Sequence, residues 1–212
     1  MTEPAIARRA YDGDRPDGVV SFREMRHGTA EDYALLDRYE RLHAGGLADR
    51  LLDTLDRLTD SIGGYRITRL EHSLQSATRA RLDGAGVDWV VAALVHDIGD
   101  ELAPYNHSEV AAALVQPYVP AEVHWVVQHH GVFQSYYYAH HLGGDRHARD
   151  RFADHRWASL CAQFCADWDQ TSFDPDFPIH DLASFADEVH EVFGRPAWAP
   201  EVVAVGSERL TP

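Results

Sequence analysis

Leu47, Leu51, Leu55, Leu58 and Ile62 recur every three or four residues, the spacing that gathers side chains on one face of an α-helix. The same period runs through most of the middle of the chain, and no apolar/polar alternation long enough for a strand interrupts it. An all-α fold follows, with helices predicted over 30–43, 46–61, 68–82, 87–101, 107–118, 120–132, 147–170 and 180–193. Gly45-Gly46, Gly63-Gly64, Gly84 to Gly86, Pro117 with Pro120, and Gly143-Gly144 fall at or near the ends of these blocks, where such residues end helices for backbone reasons. Tyr136-Tyr137-Tyr138 fall, on this reading, in a loop before the long helix, as a lid, an interface or plain surface. Residues 29–195 form one domain, flanked by an N-terminal extension (1–28) and a C-terminal tail (196–212).

Composition removes several function classes. The 212 residues carry a formal net charge of −15, and none of them is a lysine. Binding to a phosphate backbone needs clustered cations that this balance does not supply, so nucleic acid is not an expected partner. Schiff-base, lysine-base and Walker-type phosphate chemistry need an ammonium group that the side chains do not offer. Cys161 and Cys165 sit four apart in an apolar helical pattern, which predicts packing rather than a disulfide. No apolar run approaches the roughly 20 residues that span a bilayer; a cytoplasmic protein, monomeric or a small homo-oligomer, is expected.

The chemistry lies in where the histidines fall. The apolar run Trp89–Val95 predicts a buried helix, and it ends on His96-Asp97, an imidazole and a carboxylate that need a compensating partner when buried. His72 lies 24 residues earlier, so two antiparallel helices joined at Gly84–Gly86 would bring it opposite. His107 shares a face with Val110, Ala111 and Leu114; His130 extends the stripe of Val123, Val126 and Val127; Asp169 follows Ala162 and Cys165 by two turns and one. Six nitrogen- and oxygen-bearing residues thus line the inner faces of five helices, with Asp97 placed to bridge two ions. Imidazole and carboxylate ligands without thiolates favour iron, manganese, cobalt or zinc.

The series His72, His96-Asp97, His107, His130, Asp169 resembles the H…HD…H…H…D signature of the HD-domain superfamily, which implies a helical bundle of about eight helices around a dinuclear metal site. A narrower resemblance, to the inositol oxygenases and the HD-domain di-iron oxygenases that cleave hydroxylated phosphonates, rests on five stretches. These are Ser21-Phe22-Arg23, His72-Ser73-Leu74-Gln75-Ser76-Ala77, Asp88-Trp89 leading to His96-Asp97-Ile98-Gly99, Asn106-His107-Ser108-Glu109, and Trp168-Asp169-Gln170-Thr171. Together they cover residue 21 to about residue 193, and the alignment selects His130 rather than His129 as the ligand. The resemblance implies two irons in a mixed-valence (Fe2+/Fe3+) centre, with Mn2+, Co2+ or Zn2+ as alternatives. It further implies a small-molecule substrate held through its hydroxyl, and dioxygen-dependent cleavage of a carbon–carbon or carbon–heteroatom bond.

The sequence also departs from the inositol oxygenases. Asp100 replaces a substrate-contacting lysine, Gly131 a serine and Phe173 another lysine, and the span from His96 to His107 lacks a long insertion. Inositol is therefore not the expected substrate. Asp100 is read in two ways: as a solvated carboxylate paired with an arginine, or as a charge that repels anionic ligands and favours a cationic or neutral substrate. Gln75, His129 and Tyr105 join Asp100 as candidate substrate-contacting or supporting residues. Two enzyme classes remain, an oxygenase of a small hydroxyl-bearing, or amine-bearing, molecule and a metal-dependent phosphohydrolase using the same ligands to activate water. A metal-stabilised binding domain is the non-enzymatic third.

Overall fold

The structure, a computed structural model, describes residues 16–206 and 208–211; the first 15 residues of the expected N-terminal extension lie outside the described residues. Its α-helices are α1 (Ala30–Gly45), α2 (Leu47–Arg57), α3 (Arg69–Leu82), α4 (Val87–Val95), α5 (His107–Val115), α6 (Ala121–Tyr138), α7 (Ala158–Phe164), α8 (Ala186–Phe193) and α9 (Pro200–Val203), and no strand occurs among the described residues. The all-helical expectation holds.

Every residue of α4 from Trp89 to Val95 is buried, as expected of a helix that is apolar on all sides and must therefore be surrounded. Helices α3 and α8 pack against it, and α5 pairs with α6, which in turn packs on α7. Helix α3 starts on a capping box in which the Thr68 side chain accepts from Glu71 N at 3.0 Å and Glu71 accepts from Thr68 N at 2.6 Å. That satisfies two N-terminal N–H groups and fixes the first turn, one turn ahead of His72. A second box, Thr29 with Asp32, opens α1; Asp32 also accepts from Ser21 N and Oγ at 2.7 and 2.9 Å, pinning the segment before the helix.

The element ends differ most from the sequence reading at three places, each with a local cause. Helix α4 stops at Val95 and the chain runs through consecutive turns to Leu102, because Gly99 lies against α5 so closely that a β-carbon on it would stand 2.8 Å from the His107 carbonyl oxygen. Helix α6 runs past Gly131 to Tyr138, which places the three tyrosines on a helix rather than in a loop. Gly131 is tolerated mid-helix because its missing side chain makes room for Ser108, whose Oγ would lie 2.7 Å from an added β-carbon. The single helix expected over 147–170 is instead a 3-10 segment (Ala148–Phe152), α7 and a π-helical turn (Cys165–Asp169). A straight helix of that length would be about 36 Å long, whereas the folded-back chain sets Phe152, His155 and Trp157 around Trp125, His155 stacking on it at 4.1 Å. The residues after Pro196 also pack on the body, with Leu210 buried and Glu122 accepting from Gly206 N through both carboxylate oxygens.

Both cysteines are free and buried; Cys161 Sγ faces the carbonyl of Val126 at 3.7 Å and Cys165 Sγ that of His130 at 3.5 Å, tying α7 to α6.

Gly99→Ala is expected to cost about 1–3 kcal/mol, the usual penalty for forcing an atom into a closely packed contact with backbone. Urea unfolding of the variant checks this, and a cost under about 0.5 kcal/mol would mean that the turn and α5 separate easily.

Candidate metal centre

Five elements bring the six expected ligand residues to one point. His72 comes from the second turn of α3, His96-Asp97 from the turn after α4, His107 from the first residue of α5, His130 from the middle of α6, and Asp169 from the last residue of the π-turn. The π-turn, closed by Gln170 N donating to Cys165 O at 2.9 Å, adds a residue to the helical count. Such bulges are frequent at functional sites. The segment that follows is stitched to α3: Arg79 donates to Thr171 O at 3.0 Å, and the Gln75 amide donates to Asp174 O at 2.8 Å while accepting from Asp174 N.

Asp97 stands at the centre. Its Oδ2 lies 3.3 Å from His72 Nε2 and 3.4 Å from His96 Nε2, while its Oδ1 lies 3.2 Å from His130 Nε2 and 3.3 Å from His107 Nε2. One carboxylate thus presents each oxygen to a different pair of imidazoles. Asp169 Oδ1 completes the first group at 3.4 Å from His72 Nε2 and 3.7 Å from His96 Nε2. All but His107 are essentially shut off from solvent.

Three features of this set fit divalent cations. His72, His96 and His130 each place Nδ1 against a backbone carbonyl, of Ser172, Ala93 and Val127, at 2.7–2.8 Å. An Nδ1–H donating there leaves Nε2 as a lone pair aimed at the centre, the tautomer a metal ligand needs. The Nε2 atoms of His72 and His96 face each other at 3.2 Å, an arrangement that requires a cation between or beside them. Asp169 Oδ2 is buried with no hydrogen-bond partner. Within the cluster, His72, His96 and Asp169, then His96, Asp97 and His130, then Asp97, Asp100 and His107 each bring three ligand atoms within 4.8 Å of one another.

With protons as the only small cations, the electrostatics show the same demand. Burial lowers the basicity of His72, but hydrogen bonds and charges from Asp169 and Asp97 outweigh it and push its pKa up to about 9. His130 is raised in the same way, burial opposing and Asp97 prevailing. Burial alone would raise the carboxyls; the surrounding histidines, with Arg69 for Asp97, hold Asp97 and Asp169 well below the usual carboxylate range.

The residues expected around the ligands divide. Asp100 is at the site, with Oδ2 2.5 Å from Arg69 Nη2 and Oδ1 3.1 Å from His107 Nδ1. It is therefore a largely buried, arginine-paired group that backs His107, and neither a solvated carboxylate nor an uncompensated charge. Gln75 supports from behind α3, outside the cavity. His129 turns away, stacked on Trp125 at 4.2 Å and bonded through Nδ1 to the Trp125 carbonyl. Tyr105 is fully exposed and does not line the site. Sequence reasoning did not foresee Gln134 or the pairing of Arg69 with Asp97. Arg69, one turn before His72, forms an ion pair with Asp97 as well as Asp100. Gln134, one turn after His130, donates from Nε2 to Asp169 Oδ1 at 2.9 Å. Each lies one helical turn from an expected ligand and so on its face, but neither is a ligand type.

A cavity of about 510 Å³ opens on one side of the cluster. His107, His130, Asp97 and Asp169 reach it, whereas His72 and His96 lie behind. Its outer wall is largely aromatic: Tyr65 stacks on Phe173 at 5.3 Å, Phe173 on the His72 ring at 4.4 Å, and Tyr137 and Tyr138 extend from the end of α6.

This geometry agrees with what the chain is similar to. The profile of the HD domain family matches residues 69–174, half of the chain and the segment containing all six residues, and the chain belongs to that family. Among named proteins it is 28% identical over 108 residues to [1-hydroxy-2-(trimethylamino)ethyl]phosphonate dioxygenase (glycine-betaine-forming) of Leisingera caerulea. That match takes in 45% of this chain and 55% of the relative, so it spans about half of the relative's length. No helix among the described residues is long and apolar enough to cross a membrane.

Asp97→Ala and His130→Ala are expected to lose bound metal, and His129→Ala to keep it; elemental analysis of the purified variants decides, and metal loss from the His129 variant alone would move the ligand assignment. The proton on His72 gives a second test. With a folded pKa of about 9 against about 6.5 unfolded, its contribution to stability is complete below about pH 6.5 and disappears as pH rises to about 9. The depressed carboxylates contribute above about pH 4 and lose that contribution as pH falls. Metal-free protein should therefore melt highest between about pH 4 and 6.5. Adding Zn2+ at pH 7.5 should release protons, read as acidification of a weakly buffered solution. Metal uptake without proton release would remove His72 from the ligand set.

Proposed function

We propose that this protein is a di-iron oxygenase of the HD-domain type, using dioxygen to oxidise or cleave a small hydroxyl-bearing substrate. The observation that carries the reading is the division of Asp97 between two imidazole pairs, one sealed in the core and the other facing a cavity of about 510 Å³. His72, His96, Asp169 and Asp97 Oδ2 would hold an inner ion, and His107, His130 and Asp97 Oδ1 an outer one. Two bound irons would supply the Lewis acidity and electrons for dioxygen chemistry, which the side chains of this site cannot supply themselves.

The chain's own residues then do four things. The backbone carbonyls of Ser172, Ala93 and Val127 fix three imidazole tautomers. Arg69 compensates Asp97 and Asp100, and Asp100 stands against His107 Nδ1. Gln134 orients Asp169. The Tyr65–Phe173 stack and the tyrosines ending α6 form the outer wall of the cavity.

The oxygenase reading is favoured by the relative that is named a dioxygenase and by the lack of lysine. A metal-dependent phosphohydrolase is the second reading, favoured by the same ligands, which serve equally to activate a water. Protein purified without oxygen should contain two irons and give a mixed-valence electron paramagnetic resonance signal after partial oxidation. Release of phosphate from model phosphoesters with manganese, with no iron signal, would transfer the conclusion to the hydrolase.

A further inference from the structure

Among the described residues that line the cavity, those exposed to solvent are Ile62, Tyr65, Pro104 and Tyr138. None of them is charged, in a chain of which 25% of the residues are. Ile62 is 60% exposed, Tyr65 53% and Tyr138 49%, so each presents open surface to whatever enters. Exposed apolar side chains scattered singly are ordinary, but several gathered around one opening mark a place that binds. The charged lining residues lie deeper and are already matched: Arg69 pairs with Asp97 and Asp100, and Asp169 faces His72 and His96. A charged end of either sign, seated among the outer residues, would lose water and gain no fixed partner there.

Tyr138 is the aromatic residue of this wall that the fold leaves unused. Phe173 stacks on both His72 and Tyr65, Arg69 lies over the Tyr65 ring at 5.6 Å, and Tyr137 packs edge-on against Tyr136. The Tyr138 side chain, at the last residue of α6, has no ring, cation or hydrogen-bond partner among the described residues. Burial, and then the neighbouring Tyr65, Asp169 and Asp97, raise its pKa, so the phenol stays uncharged. Ile62, from the segment before α3, adds an aliphatic surface to the same opening. At about 30 Å³ of liquid volume per water molecule, a cavity of about 510 Å³ has room for roughly 17 of them, several times what a two-carbon alcohol fills.

We propose that Tyr138 and Ile62 are specificity-determining residues that hold an uncharged, apolar body, the size of a small ring, at the outer end of a substrate whose hydroxyl faces the metal ligands. Covering these side chains removes apolar surface from water on both partners, which is the driving force for such a contact. The inference rests on the proposed function only in taking this cavity as the substrate site. Of the cationic and neutral substrates that the sequence left open it selects the neutral, and on a different ground. Asp100 is already matched by Arg69, and the outer wall offers apolar surface in place of charge.

The test measures binding to metal-loaded protein by calorimetry without oxygen, with 2-phenylethanol, choline and 2-hydroxyethylphosphonate as probes. Each carries a hydroxyl two carbons from its end group, which is in turn apolar, cationic and anionic. 2-Phenylethanol is expected to bind at least tenfold more tightly than choline. Tyr138→Ala should weaken 2-phenylethanol about tenfold and leave both charged probes within about twofold. Tyr138→Phe, which keeps the ring, should leave all three within about twofold, and Ile62→Asp should narrow the gap between 2-phenylethanol and choline about tenfold. Metal content should hold in every variant, since neither residue is a ligand or hydrogen-bonded to one; if Tyr138→Ala loses metal, Ile62→Asp decides. The proposal is overturned if choline matches 2-phenylethanol, if Tyr138→Ala weakens the phosphonate as much as 2-phenylethanol, or if Tyr138→Phe costs as much as Tyr138→Ala. It is equally overturned if metal-loaded Tyr138→Ala or Ile62→Asp changes nothing, or if 2-phenylethanol does not bind. Because no turnover is read, failure of the oxygenase reading shows separately, as metal-loaded protein that binds 2-phenylethanol and consumes no dioxygen.

Discussion

One buried carboxylate facing two pairs of imidazoles is the constraint from which the rest of this structure follows. Moving a carboxylate and four imidazoles out of water into a helical core costs several kcal/mol for each charge left uncompensated. Asp97 and Asp169 carry two negative charges, of which Arg69, shared with Asp100, answers at most one, which is why His72 is driven to a pKa of about 9. Divalent ions would answer the same demand with more charge in the same place. The helices around the site can accordingly be understood as a frame: α4 is apolar on every side so that it can carry His96 and Asp97 to the middle of the core, and the two glycines beside the site, Gly99 and Gly131, let α5 and α6 close on it.

Much of this was legible in the sequence because the ligands obey the period of their helices. His107 shares a stripe with Val110 and Ala111, and His130 with Val126 and Val127, so the apolar neighbours that bury each helix also aim its histidine inward. Asp169 was found by extending a regular helix back through Cys165, and it reaches the centre from a π-turn instead. The structure brings Asp169 to the cluster by a local geometry the regular period did not predict, since a five-residue turn leaves no compositional mark. The broken segment 147–157 escaped for a related reason: Phe152, His155 and Trp157 are spaced acceptably for a helix, and only the tertiary pull of Trp125 separates them.

The supporting residues were harder to read than the ligands. Tyr105 and His129 lie within two residues of ligands along the chain yet point away, because one residue of offset on a helix or turn rotates a side chain by about 100°. Arg69 and Gln134 are one helical turn from a ligand, on the same face, and touch the carboxylates. Distance along the helix surface, rather than along the sequence, is the better guide to what surrounds a ligand. The segment matched to the HD domain family, residues 69–174, carries the whole cluster, Arg69 and Gln134 included.

The hydrogen bonds that orient the imidazoles give the centre an inside and an outside. His72, His96 and His130 lean on main-chain carbonyls, groups that do not ionise, so their orientation is indifferent to acidity and to what enters the protein. Of the four, only His107 sets its Nδ1 beside a carboxylate, that of Asp100, and it remains partly open to solvent. An ion in the sealed position would behave as a permanent fixture, slow to exchange and constant in character. Its neighbour, held partly by the adjustable ligand, would be the one to feel each arriving molecule, so that two chemically similar sites a few ångströms apart would have different working lives.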